Sequence, residues 1–117
     1  TASPSHLNDM AAKVEKAKAI RGTKVIIILI PCLPGWGVAD DAAVKTARLA
    51  VESGIFPLFE VADGVHYTLS HDRKSQSVDR YLEQQTRYRH LSAEQVEQIQ
   101  ADVDAAWDRL RHQVDGP

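Results

Sequence analysis

Residues 26–37 read IIILIPCLPGWG, an apolar run that stops on two prolines, two glycines, a tryptophan and the chain's single cysteine, Cys32. How this run is read decides the fold. From Val25 to Ile30 β-branched residues dominate and no polar residue alternates with them. That pattern predicts a strand covered on both faces, a central parallel strand rather than an exposed edge. The residues after it predict a rigid turn, because prolines 31 and 34 fix φ while glycines 35 and 37 let the backbone be approached closely. Cys32 therefore stands just past the carboxyl end of a strand, where open α/β sheets bind their ligands.

Working outward, Ser3 and Pro4 predict a helix start, with Ser as N-cap and Pro at the first helical position. Leu7, Met10, Ala11, Val14 and Ala17 recur at helical spacing opposite Lys13, Glu15, Lys16 and Lys18, and Gly22 ends the helix. Beyond the turn, Asp40 or Asp41 caps a second helix carrying Val44, Ala47, Ala50 and Val51, closed by Gly54. Residues 56–69, FPLFEVADGVHYTL, predict two strands joined by the three-residue loop 62–64, with Gly64 free to take positive φ. The polar run 70–77 reads as a linker, and a short helix follows through Val78, Tyr81 and Leu82. In the last helix Ser92 and Gln95 match a capping box, and Leu91 and Val96 a hydrophobic staple. Val96, Ile99, Val103, Ala106, Trp107 and Leu110 mark its buried stripe. The expected class is α/β: an α/β part over 1–69 with cysteine loop and hairpin, then a linker and helical tail over 70–117.

This inventory is short of strands. A parallel pair requires a helical crossover, yet only one strand here is apolar on both faces. The hairpin can supply an antiparallel edge but not a sheet around 24–30. The sequence thus predicts sheet partners outside itself, from an N-terminal part, another subunit or a symmetry copy.

Composition sets wider bounds. The 117 residues, 44% hydrophobic and 26% charged, suit one soluble domain or part of a larger one. A net charge of −2, with 14 basic residues interleaved among 16 acidic ones, argues against nucleic acid or an anionic membrane as partner. A single cysteine excludes an internal disulfide framework and fits a reducing compartment. The longest apolar stretch, 25–34, is too short to span a bilayer, and the opening residues carry no signal-peptide pattern. These bounds lead to the expectation of a cytoplasmic protein.

Several residues invite a chemical reading. Cys32 is either a small buried hydrophobe or a reactive or ligating thiol. An iron–sulfur cluster takes about four cysteines, and this chain has one. The PGWG turn is a poor phosphate cradle, since Asp40 and Asp41 follow it and no Walker-type lysine does. Trp36 reads as a core or interface anchor. His6, His66, His71, His90 and His112 show no metal-ligand spacing. The His71–Asp72 pair lies in the polar linker, and Glu60 has no partner evident in sequence. Arg87, Arg89 and His90 read as a helix C-terminus complementing its dipole.

The segment PCLPGWG resembles the P-C-P-T-G-W stretch in the β subunit of the 2-oxoacid:ferredoxin oxidoreductases, the pyruvate synthase group. Residues 1–32 resemble that family's helix-then-strand approach to the cysteine. RLAVESGIFPLFEVADG, 48–64, is similar to its arginine-led helix and P-L-Y-E hairpin. VDRYLEQQTRYRHL, 78–91, is similar to its V-x-x-Y-L-x-x-Q-x-R-F-x-H-L segment. Departures are Leu33 for Pro, Pro34 for Thr and Phe59 for Tyr.

The resemblance implies the C-terminal part of a thiamine-diphosphate-binding subunit, from a doubly wound domain. The whole enzyme would decarboxylate a 2-oxoacid with coenzyme A and pass electrons through iron–sulfur clusters to ferredoxin. Cys32 would join three earlier cysteines around one [4Fe–4S] cluster. No catalytic residue is assigned within the chain. It is expected to be inactive alone, to bind neither thiamine diphosphate nor a cluster tightly, to self-associate, and to depend on the N-terminal part or other subunits. The rival readings are a non-catalytic interaction module on the same scaffold and a small thiol-dependent enzyme using Cys32.

Overall fold

The computed structural model describes residues 1–116. The elements are α1 (Leu7–Ala19), α2 (Leu33–Trp36), α3 (Ala43–Ser53), β1 (Phe59–Ala62), β2 (His66–Leu69), α4 (Val78–Glu83), a 3₁₀ turn (Thr86–Tyr88) and α5 (Ala93–Asp115). Mixed helix and strand is the expected class. The sheet among the described residues is the β1–β2 hairpin alone.

The core lies between the helices. Leu49 and Ala50 of α3 pack against Val78, Tyr81 and Leu82 of α4, with Val96, Ile99 and Val103 of α5 half-buried against that cluster. Burying a side chain of Leu or Val size contributes about 1.5–3 kcal/mol, so the run 70–77 is bridged by apolar contact rather than left as a free tether. Polar ties reinforce it. Arg73 pairs with Asp104 at 2.6 Å, Lys74 with Glu52 at 3.0 Å and Arg111 with Asp72 at 3.1 Å.

Local signals place some helix ends. Ser92 and Gln95 make both bonds of the capping box. Gly54 ends α3 in the left-handed region at φ +87°. The hairpin pairs Ala62 with His66, which moves its loop to 63–65, one residue later than expected. Asp63 and Gly64 both have positive φ there, at 53° and 74°.

Three expectations are corrected. The first helix begins at Leu7 with His6 as N-cap, not at Pro4. Ser3 is instead bonded through its hydroxyl to Ser5, while its neighbour Ala2 pairs with residues 27 and 29. The second correction concerns α3, whose N-cap is Ala42 with no side-chain cap, so neither Asp40 nor Asp41 serves.

The third concerns 24–30. The segment is extended, but its ladder is a single parallel bridge, Ala2 with Ile28. Its expected cover on two faces is incomplete among the described residues: Leu29 packs half-buried against the core cluster, whereas Val25, Ile27, Ile28 and Ile30 are all exposed. Beyond that bridge no strand lies beside it among the described residues, the shortage already evident in the sequence.

Candidate functional site

Cys32 is exposed, and its backbone (φ −89°, ψ 103°) forms the N-cap of α2. Its carbonyl accepts the Trp36 N–H at 2.9 Å, and the Leu33 carbonyl accepts the Val38 N–H at 2.9 Å. Two glycines have distinct jobs. At Gly35 an added Cβ would lie 2.9 Å from the Cys32 Sγ, so glycine leaves the thiol its space. At Gly37 the backbone is left-handed (φ 67°), and an added Cβ would also run into the Thr86 side chain.

The turn is held from outside. The Gly37 carbonyl accepts the Thr86 N–H at 3.1 Å. The Arg87 guanidinium lies 4.1 Å from the centroid of the Trp36 ring and 4.6 Å from that of Tyr88. Exposed cation–π contacts of this kind contribute about 0.5–1 kcal/mol each. Arg87 Nε donates to Gln85 Oε1 at 2.8 Å, and Gln85 Nε2 donates to the Tyr81 carbonyl at 3.0 Å. Gln85 and Tyr81 are buried, and burial pushes the Tyr81 hydroxyl above its ordinary pKa. A chain of contacts thus runs from the core through Gln85 and Arg87 to the cysteine turn.

Other sequence candidates fall elsewhere. Glu60 meets Lys16 at 2.9 Å on the surface. Arg87 and Arg89 lie beyond α4, whose last turn holds Arg80, so the helix-dipole reading of that cluster is corrected. Trp36 is half-buried and carries Arg87 on its face. His6 and His71, remote in sequence, bring their rings to 4.6 Å, and the Ser5 hydroxyl lies 2.8 Å from His6 Nδ1. Burial first, then the charges His71 and Arg48 can carry, holds His6 below its usual pKa. No group of three or more His, Cys, Asp or Glu side chains suited to a metal ion occurs among the described residues. No described helix is long and apolar enough to cross a membrane.

Over most of its length the chain matches a portion of 2-oxoacid:ferredoxin oxidoreductase β subunits. It is 43% identical over 104 residues to pyruvate synthase subunit PorB of Methanocaldococcus jannaschii, a match covering 89% of this chain and 35% of the relative. With the PorB subunit of Thermotoga maritima it shares 38% over 115 residues, covering 94% of this chain and 36% of the relative. Ketoisovalerate oxidoreductase subunit VorB of Pyrococcus horikoshii is 34% identical over 113 residues, covering 95% and 36%. The chain therefore spans little more than a third of the length of these relatives. No protein-family model matches it.

Proposed function

We propose that the chain is the cysteine-turn portion of the β subunit of a 2-oxoacid:ferredoxin oxidoreductase, and that Cys32 supplies one thiolate to a [4Fe–4S] cluster in the complete assembly. The donor chemistry fits one ligand and no more. The thiol is exposed, glycine at 35 keeps the space beside it clear, and the turn is rigidly held. A cluster takes about four cysteines, so three must come from the rest of the subunit. The bound cluster would relay electrons towards ferredoxin. This chain's part is to hold one sulfur in place and to bring its neighbours into register.

No residue here is assigned to thiamine diphosphate. Its ligands, and those for coenzyme A and the 2-oxoacid, are proposed to lie outside residues 1–117. Relatives named for pyruvate and for ketoisovalerate both match, so the substrate is proposed only as a 2-oxoacid.

The observation that carries the reading is the joining of two segments. PCLPGWG and VDRYLEQQTRYRHL, the blocks on which the resemblance rests, meet through Gly37–Thr86 and Trp36–Arg87. The test is Cys32→Ala in the assembled oxidoreductase, read by iron content and by electron paramagnetic resonance. Loss of one cluster signal, with most transfer to ferredoxin, is expected. Full iron content with full activity would sink the reading.

A further inference from the structure

The turn that presents Cys32 cannot hold its own shape. α2 has four residues and no side-chain cap, and helices that short are marginal without tertiary support. Two bonds close the turn from within, Trp36 N–H to the Cys32 carbonyl and Val38 N–H to the Leu33 carbonyl. Further hold comes from the 3₁₀ turn Thr86–Tyr88, through Thr86 to Gly37 and Arg87 to Trp36.

We propose that Arg87 is the positioning residue for Cys32, acting through Trp36. Its guanidinium is engaged on three sides: the Trp36 ring at 4.1 Å, the Tyr88 ring at 4.6 Å and Gln85 Oε1 at 2.8 Å from Nε. Gln85 is 2% exposed and tied to the Tyr81 carbonyl, so the guanidinium is anchored to the core. Trp36 is the residue whose N–H closes on the Cys32 carbonyl, so fixing the indole fixes the backbone that carries the sulfur. The arrangement needs a planar cation. Guanidinium can lie against aromatic faces while Nε donates in its own plane, whereas an ammonium is a compact point charge with no plane to stack. Lysine at 87 would keep the charge and lose the clamp. The functional consequence rests on the reading of Cys32 as a cluster ligand; the clamp itself does not.

The test uses the assembled oxidoreductase with Arg87→Lys and Arg87→Gln in the full-length subunit. Hydrogen exchange at the Trp36 and Val38 amides reads the turn, and redox titration of the cluster signals reads the sulfur. Arg87→Gln should speed exchange at these two amides about tenfold, the size expected on losing two exposed cation–π contacts, and Arg87→Lys should give part of that acceleration, while α5 amides stay unchanged. One cluster should shift in midpoint potential. Trp36→Leu, read at Val38, should reproduce the effect if the Arg87 variants assemble poorly. Unchanged exchange, equal acceleration throughout the subunit, or full protection restored by lysine would each overturn the proposal. Local acceleration with unaltered cluster signals would support the clamp and count against the ligand reading, which Cys32→Ala tests separately.

Discussion

Glycines 37 and 64 share a backbone region and differ in surroundings, which makes them a controlled pair. Gly37 has φ +67° and Gly64 +74°, but an added Cβ meets the Thr86 side chain at the first and nothing within 4 Å at the second. A left-handed alanine costs about 1–2 kcal/mol by itself. Gly64→Ala should lose only that, whereas Gly37→Ala should lose it and also push away Thr86, taking the 3₁₀ turn with it. Unfolding of the full-length subunit checks this: the Gly37 variant should be the less stable by more than about 1 kcal/mol, and equal losses would show that Thr86 gives way freely. Cys32, the fixed turn and the glycines' permissive role were legible in the sequence, because proline and glycine constrain their own positions. The Arg87–Trp36 contact was not. It joins residues remote in the chain, and local reading assigned the basic cluster to the nearest helix end. The His6–His71 contact escaped for the same reason.

Helices α3, α4 and α5 pack against one another, while α1 and 24–30 leave apolar side chains exposed. The capping box of α5 and the left-handed Gly54 are local devices and appear where the sequence puts them. In α1 the apolar residues Leu7 and Val14 face solvent, at 61% and 40% exposure, while Lys13 is buried against Asp9 and the Thr1 carbonyl. Periodicity correctly gave an amphipathic helix but not which face would be covered by this chain. A polar contact sets how α5 docks. Asp104 accepts from Arg73 at 2.6 Å and from Gln100 at 3.1 Å, and Gln100 Oε1 accepts the Val78 N–H at 3.0 Å. The Arg73 hydrogen bond foremost holds the Asp104 carboxyl below its ordinary 3.8. A carboxyl whose pKa falls on folding adds stability that is complete well above its unfolded value and lost as pH drops through the folded one. Asp104→Asn should therefore flatten the loss of stability below about pH 4. Acid titrations of the two subunits with superimposable slopes there would refute the contribution.

At the scale of the molecule, the surface is too large for the mass. A compact protein of 13.0 kDa should expose about 6,300 Å², against 7611 Å² here. The radius of gyration, 15.3 Å, likewise exceeds the roughly 13.4 Å of a compact chain this long. The excess surface is apolar and localised. Of the ten large hydrophobic side chains left exposed among the described residues, seven lie between Leu7 and Ile30: Leu7, Val14, Ile20, Val25, Ile27, Ile28 and Ile30. The 24–30 segment adds an open edge, since Ala2 bonds only to the Ile27 carbonyl and the Leu29 N–H, and a parallel strand presents its other groups on the opposite side. Apolar surface beside unpaired strand edge is a template for association. Residues 1–117 in isolation should therefore self-associate and bind an apolar dye, and the rest of the subunit should suppress both by supplying neighbouring strands. The chain spans little more than a third of its relatives, which leaves ample sequence for that role. Ile28→Lys, at the centre of the segment, should shift the isolated chain towards monomer without touching the α3–α4–α5 core. Sedimentation of the unmutated chain as a 13.0 kDa monomer at high concentration, with no dye bound, would show that this face needs no cover.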